Sequence, residues 1–389
     1  MMRKWIWRPV TAGLGVALVA IGVYTIISFL PARENGSDFS QVYVAARVMQ
    51  DGLNPYEIAL DQYATDHNLH FSEIVSQTTN PPVLVWMLQP LGRLEPSKAF
   101  ALLVAVEFFS LLVVMACAVR LLGRRLSPAG WCLAAGLLCC SMPIFFHFWF
   151  SQVQLPLLAL VMAGVLALRS RRPWTACMLL TLATALKFYP APLVALPALM
   201  ERGQKRWQLA GVTALWLAVW AVVPGWSLWV GFVRHGLPLL MTMGSGWYYN
   251  FTVTSTLMDL WRPAAGSEWW PSSVALVISA TLVGWAWWTC SHKSMNEDNA
   301  VSLLLITSLI CSTIAWVHYL IWLFYPLCVL ASRRRWLLSV LALICLNAAG
   351  SNPLDLTGRV AKFLNASAPL MLMGVLYVYF SVRGEEPAP

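Results

Sequence analysis

The chain has 389 residues, 59% of them hydrophobic and only 11% charged, with 21 tryptophans. Ordinary globular domains carry roughly 25% charged residues, so this composition excludes a water-soluble protein and points to an all-α polytopic membrane protein. The net charge of +9 does not mark a nucleic-acid partner. Arg and Lys cluster at the ends of apolar segments (Arg120/Arg124/Arg125, Arg169/Arg171/Arg172, Arg202/Lys205/Arg206, Arg333/Arg334/Arg335), as in cytoplasmic loops facing anionic lipid headgroups.

Apolar runs predict about 12 membrane spans, at 10–30, 98–121, 129–147, 151–168, 173–187, 188–200, 208–232, 272–291, 298–316, 318–332, 336–350 and 367–382. With a cytoplasmic N-terminus, most of the 26 Lys and Arg fall on the cytoplasmic side, and most of the 17 Asp and Glu fall outside or within the membrane. Reversing the threading inverts both biases. Both termini are therefore expected in the cytoplasm, and the large loops 31–97 and 233–271 on the extracytoplasmic side of the plasma membrane. The first apolar run leads into Pro31-Ala-Arg-Glu with no small-residue cleavage site, so a retained helix is expected rather than a removed leader.

The longest polar run, 34–82, carries Glu34, Asp38, Asp51, Glu57, Asp61, Asp66 and Glu73. Its helical periodicity and turn chemistry predict a folded first outer loop. Asp38 precedes the amphipathic run Val42, Ala45, Ala46, Val48, Met49, which ends at Gly52. One reading makes Asp38 the N-cap of that helix, with Gln41 at N3 of a capping-box variant and Gly52 at C′. The other makes it a carboxylate base meeting a hydroxyl acceptor just outside the bilayer. Leu53-Asn-Pro-Tyr56 and Asn80-Pro-Pro82 read as turns, and Tyr56 suits either an interface anchor or a sugar contact. Residues 82–92 are too short to span and read as a re-entrant or interfacial helix.

His147 lies in an aromatic run, and Gln152 and Gln154 begin a span from the outer side. There an amide either bonds sugar hydroxyls or caps the helix. Residues 173–200 have basic clusters at both ends but are too short for two crossings, and Lys187-Phe-Tyr-Pro190 interrupts them. Proline disfavours helix at the preceding residue and removes a donor. The expected form is a hairpin of two short helices with Lys187 at its tip. A broken helix at membrane depth is tolerated where it lines a cavity, and a buried ammonium there seeks an anion or snorkels to the interface. The loop 233–271 adds Tyr248, Asn250 and Arg262, with aromatics and amides that suit a carbohydrate or an interfacial belt. Asn250-Phe-Thr and Asn365-Ala-Ser match the glycosylation pattern, which is common by chance. His318 sits at an outer span junction. All nine cysteines lie in or beside apolar runs and read as small buried hydrophobes. The sequence has no Gly-rich phosphate loop, no Cys/His metal spacing and no D-x-D in an outer loop, so neither a metal nor another cofactor is expected.

In order and spacing, Asp38, Gly52-Leu-Asn-Pro-Tyr56, Pro81-Pro82, Ser151-Gln152-Val-Gln154, Lys187-Phe-Tyr-Pro190 and Trp316-Val-His318 resemble glycosyltransferase family 87. This chain differs in having Asn80 where an aromatic often precedes the Pro-Pro pair. The resemblance implies a GT-C-type helical bundle that transfers a sugar, mannose in the best-known members, from a polyprenyl-phosphate donor to a glycan or glycolipid hydroxyl with inversion. It implies Asp38 as general base. The cations placed to meet the leaving phosphate are Lys187, His318 and Arg262, and the candidate substrate contacts are Tyr56, Asn80, Gln152, Gln154, Tyr248 and Asn250. Arabinofuranosyl or other hexosyl transfer, and a flippase of the same lipid-linked sugar, remain open alternatives.

Overall fold

The computed structural model describes residues 2–30, 37–71, 74, 76–242, 250–261, 269–292, 295–348 and 359–382. Among these residues there are helices and turns and no strand. Three helices are long and apolar enough to cross a bilayer alone: Arg8–Phe29, Pro96–Leu122 and Pro271–His292. Two bent pairs meet the same standard, Pro128–Cys139 with Met142–Trp149 at 48° and Gly203–Val222 with Trp226–Met241 at 88°. The helices make this a membrane protein.

Several of the expected spans are interrupted. The run 208–232 turns sharply at Pro224 and Gly225, where Gly225 adopts φ +88°. The run 188–200 is not a helix throughout; it forms a 3₁₀ segment, Ala191–Ala195, and a single α-turn, Leu196–Leu199. Pro190, Pro192 and Pro197 remove backbone donors from it in quick succession. The run 298–316 stays helical only to Ile310. Residues Pro82–Leu88 and Gln89–Arg93 form an α-helix and a 3₁₀ segment too short to span.

The chain packs as two units. One comprises Phe29–Leu112 and Phe148–Gly244, and is called here the Asp38 unit. Its centre is the helix Ser37–Gln50. The sequence suggests a single apolar stripe, but Phe39, Tyr43, Val44, Ala45, Ala46 and Val48 are all buried, so the helix is enclosed on nearly every side. Gly92 permits this: a Cβ there would lie 2.7 Å from the Ala46 carbonyl group. Arg47 Nη1 donates to the Gly92 carbonyl oxygen at 2.8 Å, and Gln50 Nε2 to that of Gln89 at 2.8 Å. The helix stops as expected. Gly52 has φ +75°, its N–H donates to Met49, and the Leu53 N–H donates to Val48, which satisfies the last carbonyls.

The other unit comprises Met1–Ser28, Val113–His147 and Ser245–Pro389, the His318 unit. Here the first helix meets Pro128–Cys139 through glycine. A Cβ on Gly15 would fall 2.4 Å from the Cys132 backbone, and one on Gly136 would fall 2.6 Å from the Gly15 oxygen. Small residues let spanning helices approach closely, which replaces the hydrophobic driving force absent in lipid. Elsewhere in this unit Asp298 is buried, paired with Arg125 and accepting from Tyr325 Oη at 2.7 Å. Arg333 Nη1 donates to Asn299 Oδ1 at 2.7 Å, and Asn296 caps the helix Glu297–Ile310.

The glycine contact has a built-in control, because a Cβ on Gly13 meets nothing within 4 Å. Gly15→Leu is expected to unseat the first helix and lower the melting temperature of the purified protein by more than ordinary overpacking, which costs about 1–3 kcal/mol. Gly13→Leu is expected to melt like the parent. Equal melting of the two variants contradicts the close approach.

Candidate active site

The helix that carries Asp38 begins at Ser37, which places Asp38 within its first turn and not at the N-cap. Gln41 does not complete a capping box. Its Nε2 donates to the Gln77 carbonyl at 2.8 Å, and its Oε1 accepts from Asn80 Nδ2 at 3.1 Å. Those partners lie far along the chain, so the amide joins the helix to the 77–80 turn and is not available to its own terminus. Asp38 is half-buried. As a carboxylate in a first turn it is stabilised by the positive end of the helix dipole.

Lys187 lies at the C-terminal end of the helix Pro173–Leu186, in extended conformation, where the sequence predicts the break. It is half-buried, and the charge of Asp38 acts on it. Two groups remote in sequence therefore belong to the same packed unit. The packing between them can be followed residue by residue. The Phe188 ring lies 5.7 Å from that of Phe232, and Phe232 meets Tyr56 edge-on at 5.6 Å. The Tyr56 hydroxyl donates to the Asn80 carbonyl, and the Asn80 side chain donates to Gln41. Tyr56 and Asn80, candidates for sugar contact, are both buried and here hold the Asp38 helix in position.

In the same unit Gln152 is half-buried and Gln154 fully buried. They follow Ser151, which is held at φ +50°, a strained conformation for a residue with a Cβ. Gln154 Oε1 accepts from the Tyr189 hydroxyl. Tyr189 was not singled out as a candidate. The signal lay inside Lys187-Phe-Tyr-Pro190, where a phenol buried beside a break needs a partner. Glu107 was also passed over. It is a buried acid within Pro96–Leu122, and it is the lone acid in that helix.

In the His318 unit, His318 is buried in the 3₁₀ segment Val317–Leu323, its ring 5.6 Å from Trp316 and 4.8 Å from Tyr319. Asn250 is buried as well. Its Oδ1 accepts from the Ala315 N–H at 2.9 Å, and its Nδ2 donates to the Thr313 carbonyl at 3.4 Å. The amide thus fixes the non-helical run just before His318, and burial keeps it from serving as a glycosylation acceptor in the folded protein. Tyr248 and Arg262 lie outside the described residues. Among the described residues no three His, Cys, Asp or Glu side chains gather in a set able to hold a metal ion.

The polar segment carries its own pH signature. Burial pushes the Tyr43 and Tyr56 phenols above their usual value. Tyr63 is pushed up to about 12, by burial first and then by Asp51, to which its hydroxyl donates. A raised folded value means that the stabilisation is complete below the unfolded tyrosine pKa of about 10 and is lost as pH climbs through the folded values. Unfolding of this segment, followed by tyrosinate absorbance, is expected above about pH 10. Tyr63→Phe is expected to flatten the part of that loss between the unfolded value and about 12. An unchanged alkaline profile in Tyr63→Phe argues against the Tyr63–Asp51 contact.

The fold defines an integral membrane protein in which a carboxylate, Asp38, and an ammonium, Lys187, stand at the ends of two different helices of one unit. The profile of glycosyltransferase family 87 matches residues 79–316, and the chain belongs to that family. It is a membrane glycosyltransferase. The matched stretch contains Asn80, Gln152, Gln154, Lys187, Asn250 and Arg262, begins after Asp38 and Tyr56, and ends just short of His318. Comparison with curated proteins gives no significant match.

Proposed function

We propose that the enzyme moves a sugar from a polyprenyl-phosphate carrier to a hydroxyl of an extracytoplasmic glycan or glycolipid, inverting the anomeric carbon. Mannose is the sugar the family resemblance favours. The observation that carries this reading is the placement of Asp38 and Lys187 at two helix ends of one unit, joined through Phe188, Phe232, Tyr56, Asn80 and Gln41. A base and a cation in one packed unit are what displacement of a phosphate leaving group calls for. Asp38 takes the proton of the acceptor hydroxyl as its oxygen bonds to C1. The C1–O bond to phosphate breaks, and polyprenyl phosphate departs with the bonding electrons, its charge met by Lys187. His318 and Arg262 are expected from the sequence to assist the leaving group. The threading proposed with this mechanism is the one that charge asymmetry favours, about 12 spans with both termini cytoplasmic. A lipid-linked donor suits such an enzyme because its headgroup reaches the membrane surface while its tail stays in hydrocarbon.

The test is a single assay on protein in lipid, with radiolabelled polyprenyl-phosphate sugars and a glycan acceptor. Release of polyprenyl phosphate coupled to product, undiminished by chelator, is expected. Asp38→Asn keeps size and polarity but cannot accept a proton, so turnover is expected to fall about 10²–10⁴-fold, the usual contribution of a positioned base. Near-normal turnover in a folded Asn variant removes Asp38 from the base role. Transport of the lipid-linked sugar without transfer favours a flippase. Chelator-sensitive use of a nucleotide sugar overturns the donor class.

A further inference from the structure

Gln154 opens the helix Gln154–Arg169 and is fully buried. Its Oε1 accepts from the Tyr189 hydroxyl, while its amide nitrogen, closed off from solvent, has no hydrogen-bond partner in the protein. A glutamine kept for structure alone has both ends of its amide matched, because a buried donor left unpaired pays its full desolvation penalty. With the tyrosine proton on Oε1, the two N–H donors face away from Tyr189 and await an acceptor.

Two further observations bear on what that acceptor is. Tyr189 lies two residues after Lys187, in a turn closed by the Ala191 N–H donating to Phe188 at 3.0 Å. The phenol that orients the amide and the Lys187 side chain therefore stem from one short piece of backbone. The 16-residue helix that Gln154 opens has no side-chain cap: its N-cap residue is Val153, and Pro156 has no N–H to offer. The amides of Gln154 and Leu155 thus stand at the positive end of an uncapped helix. The ammonium, the carboxamide nitrogen and the helix terminus all favour an anionic oxygen.

We infer that the Gln154 amide donates to the phosphate of the lipid-linked donor, and that Tyr189 is the positioning residue that holds the amide in its donating orientation. This rests on the proposed function for the identity of the anion, and it assigns Gln154 to the phosphate instead of to a sugar hydroxyl.

The experiment compares binding of polyprenyl phosphate with binding of the uncharged polyprenol of the same length, using the full chain in lipid nanodiscs. Gln154→Glu keeps the shape and still accepts from Tyr189, but puts a negative oxygen where the amide nitrogen was. It is expected to abolish the preference for phosphate over alcohol. Gln154→Leu and Tyr189→Phe are each expected to weaken polyprenyl phosphate binding about tenfold and leave polyprenol binding unchanged. The inference is overturned if Gln154→Glu keeps the parent's preference, or if polyprenol binding falls in parallel, which marks a purely structural role. A rise in acceptor KM alone also overturns it, by moving the amide to a sugar hydroxyl. A parent protein that does not distinguish phosphate from alcohol sinks the lipid-phosphate donor itself, an outcome separate from these.

Discussion

The constraint on which the proposed site depends is that a carboxylate and an ammonium are held in one unit without relying on each other for stability. If their mutual attraction were the main support for both, a substrate entering between them would dismantle the site. The protein avoids this by giving each charge its own helix end. Asp38 lies in a first turn and Lys187 just past a last turn, so each charge complements the dipole of the helix it belongs to. In the proposed reaction two such ends hold in advance the charges that an acceptor proton and a departing phosphate require, which leaves little reorganisation.

Holding those ends is the task of the packing around them. A displacement of about 1 Å is enough to lose much of an enzyme's rate, and neither helix end is firm by itself. The Lys187 turn is braced by Phe188 against Phe232, and Phe232 by Tyr56. Beyond Tyr56 the support becomes polar, through the Asn80 carbonyl and the Asn80 and Gln41 side chains, and ends in the Asp38 helix. Apolar contacts supply rigidity where the neighbours are rings. Hydrogen bonds supply direction where a turn must be set against a helix. Gly92 completes the arrangement by letting the 3₁₀ segment Gln89–Arg93 lie directly on the helix backbone.

What the sequence revealed and what it hid divide along a physical line. The break at Lys187 and the stop at Gly52 were legible because proline, glycine and a lone cation act on their own neighbours. The capping box was misread because Gln41 finds its partners at Gln77 and Asn80, and no local pattern records that. The same holds for Gln154 with Tyr189 and for Asn250 with Ala315. Hydropathy located the apolar runs but not their bends, since an average over a window does not register that Pro224 and Gly225 turn one of them through 88°. The helix Ser37–Gln50 looked amphipathic because its enclosure depends on a glycine outside it, and a periodicity within fourteen residues carries no trace of Gly92.

The family match begins at residue 79, after the helix that bears Asp38. That boundary falls one residue before Asn80, which is bonded to residues ahead of it. Asn80, inside the match, takes the Tyr56 proton on its carbonyl and gives a side-chain proton to Gln41. The first of these bonds uses only backbone, and any residue at that position keeps it. The second needs the amide. An aromatic side chain there retains the anchor for Tyr56 but surrenders the one to Gln41 Oε1, leaving the Asp38 helix to its remaining polar bonds from Gln41, Arg47 and Gln50 and to apolar contact. The side-chain bond is laid over a backbone contact that does not depend on it. The placement of Asp38 relative to Lys187 rests on both.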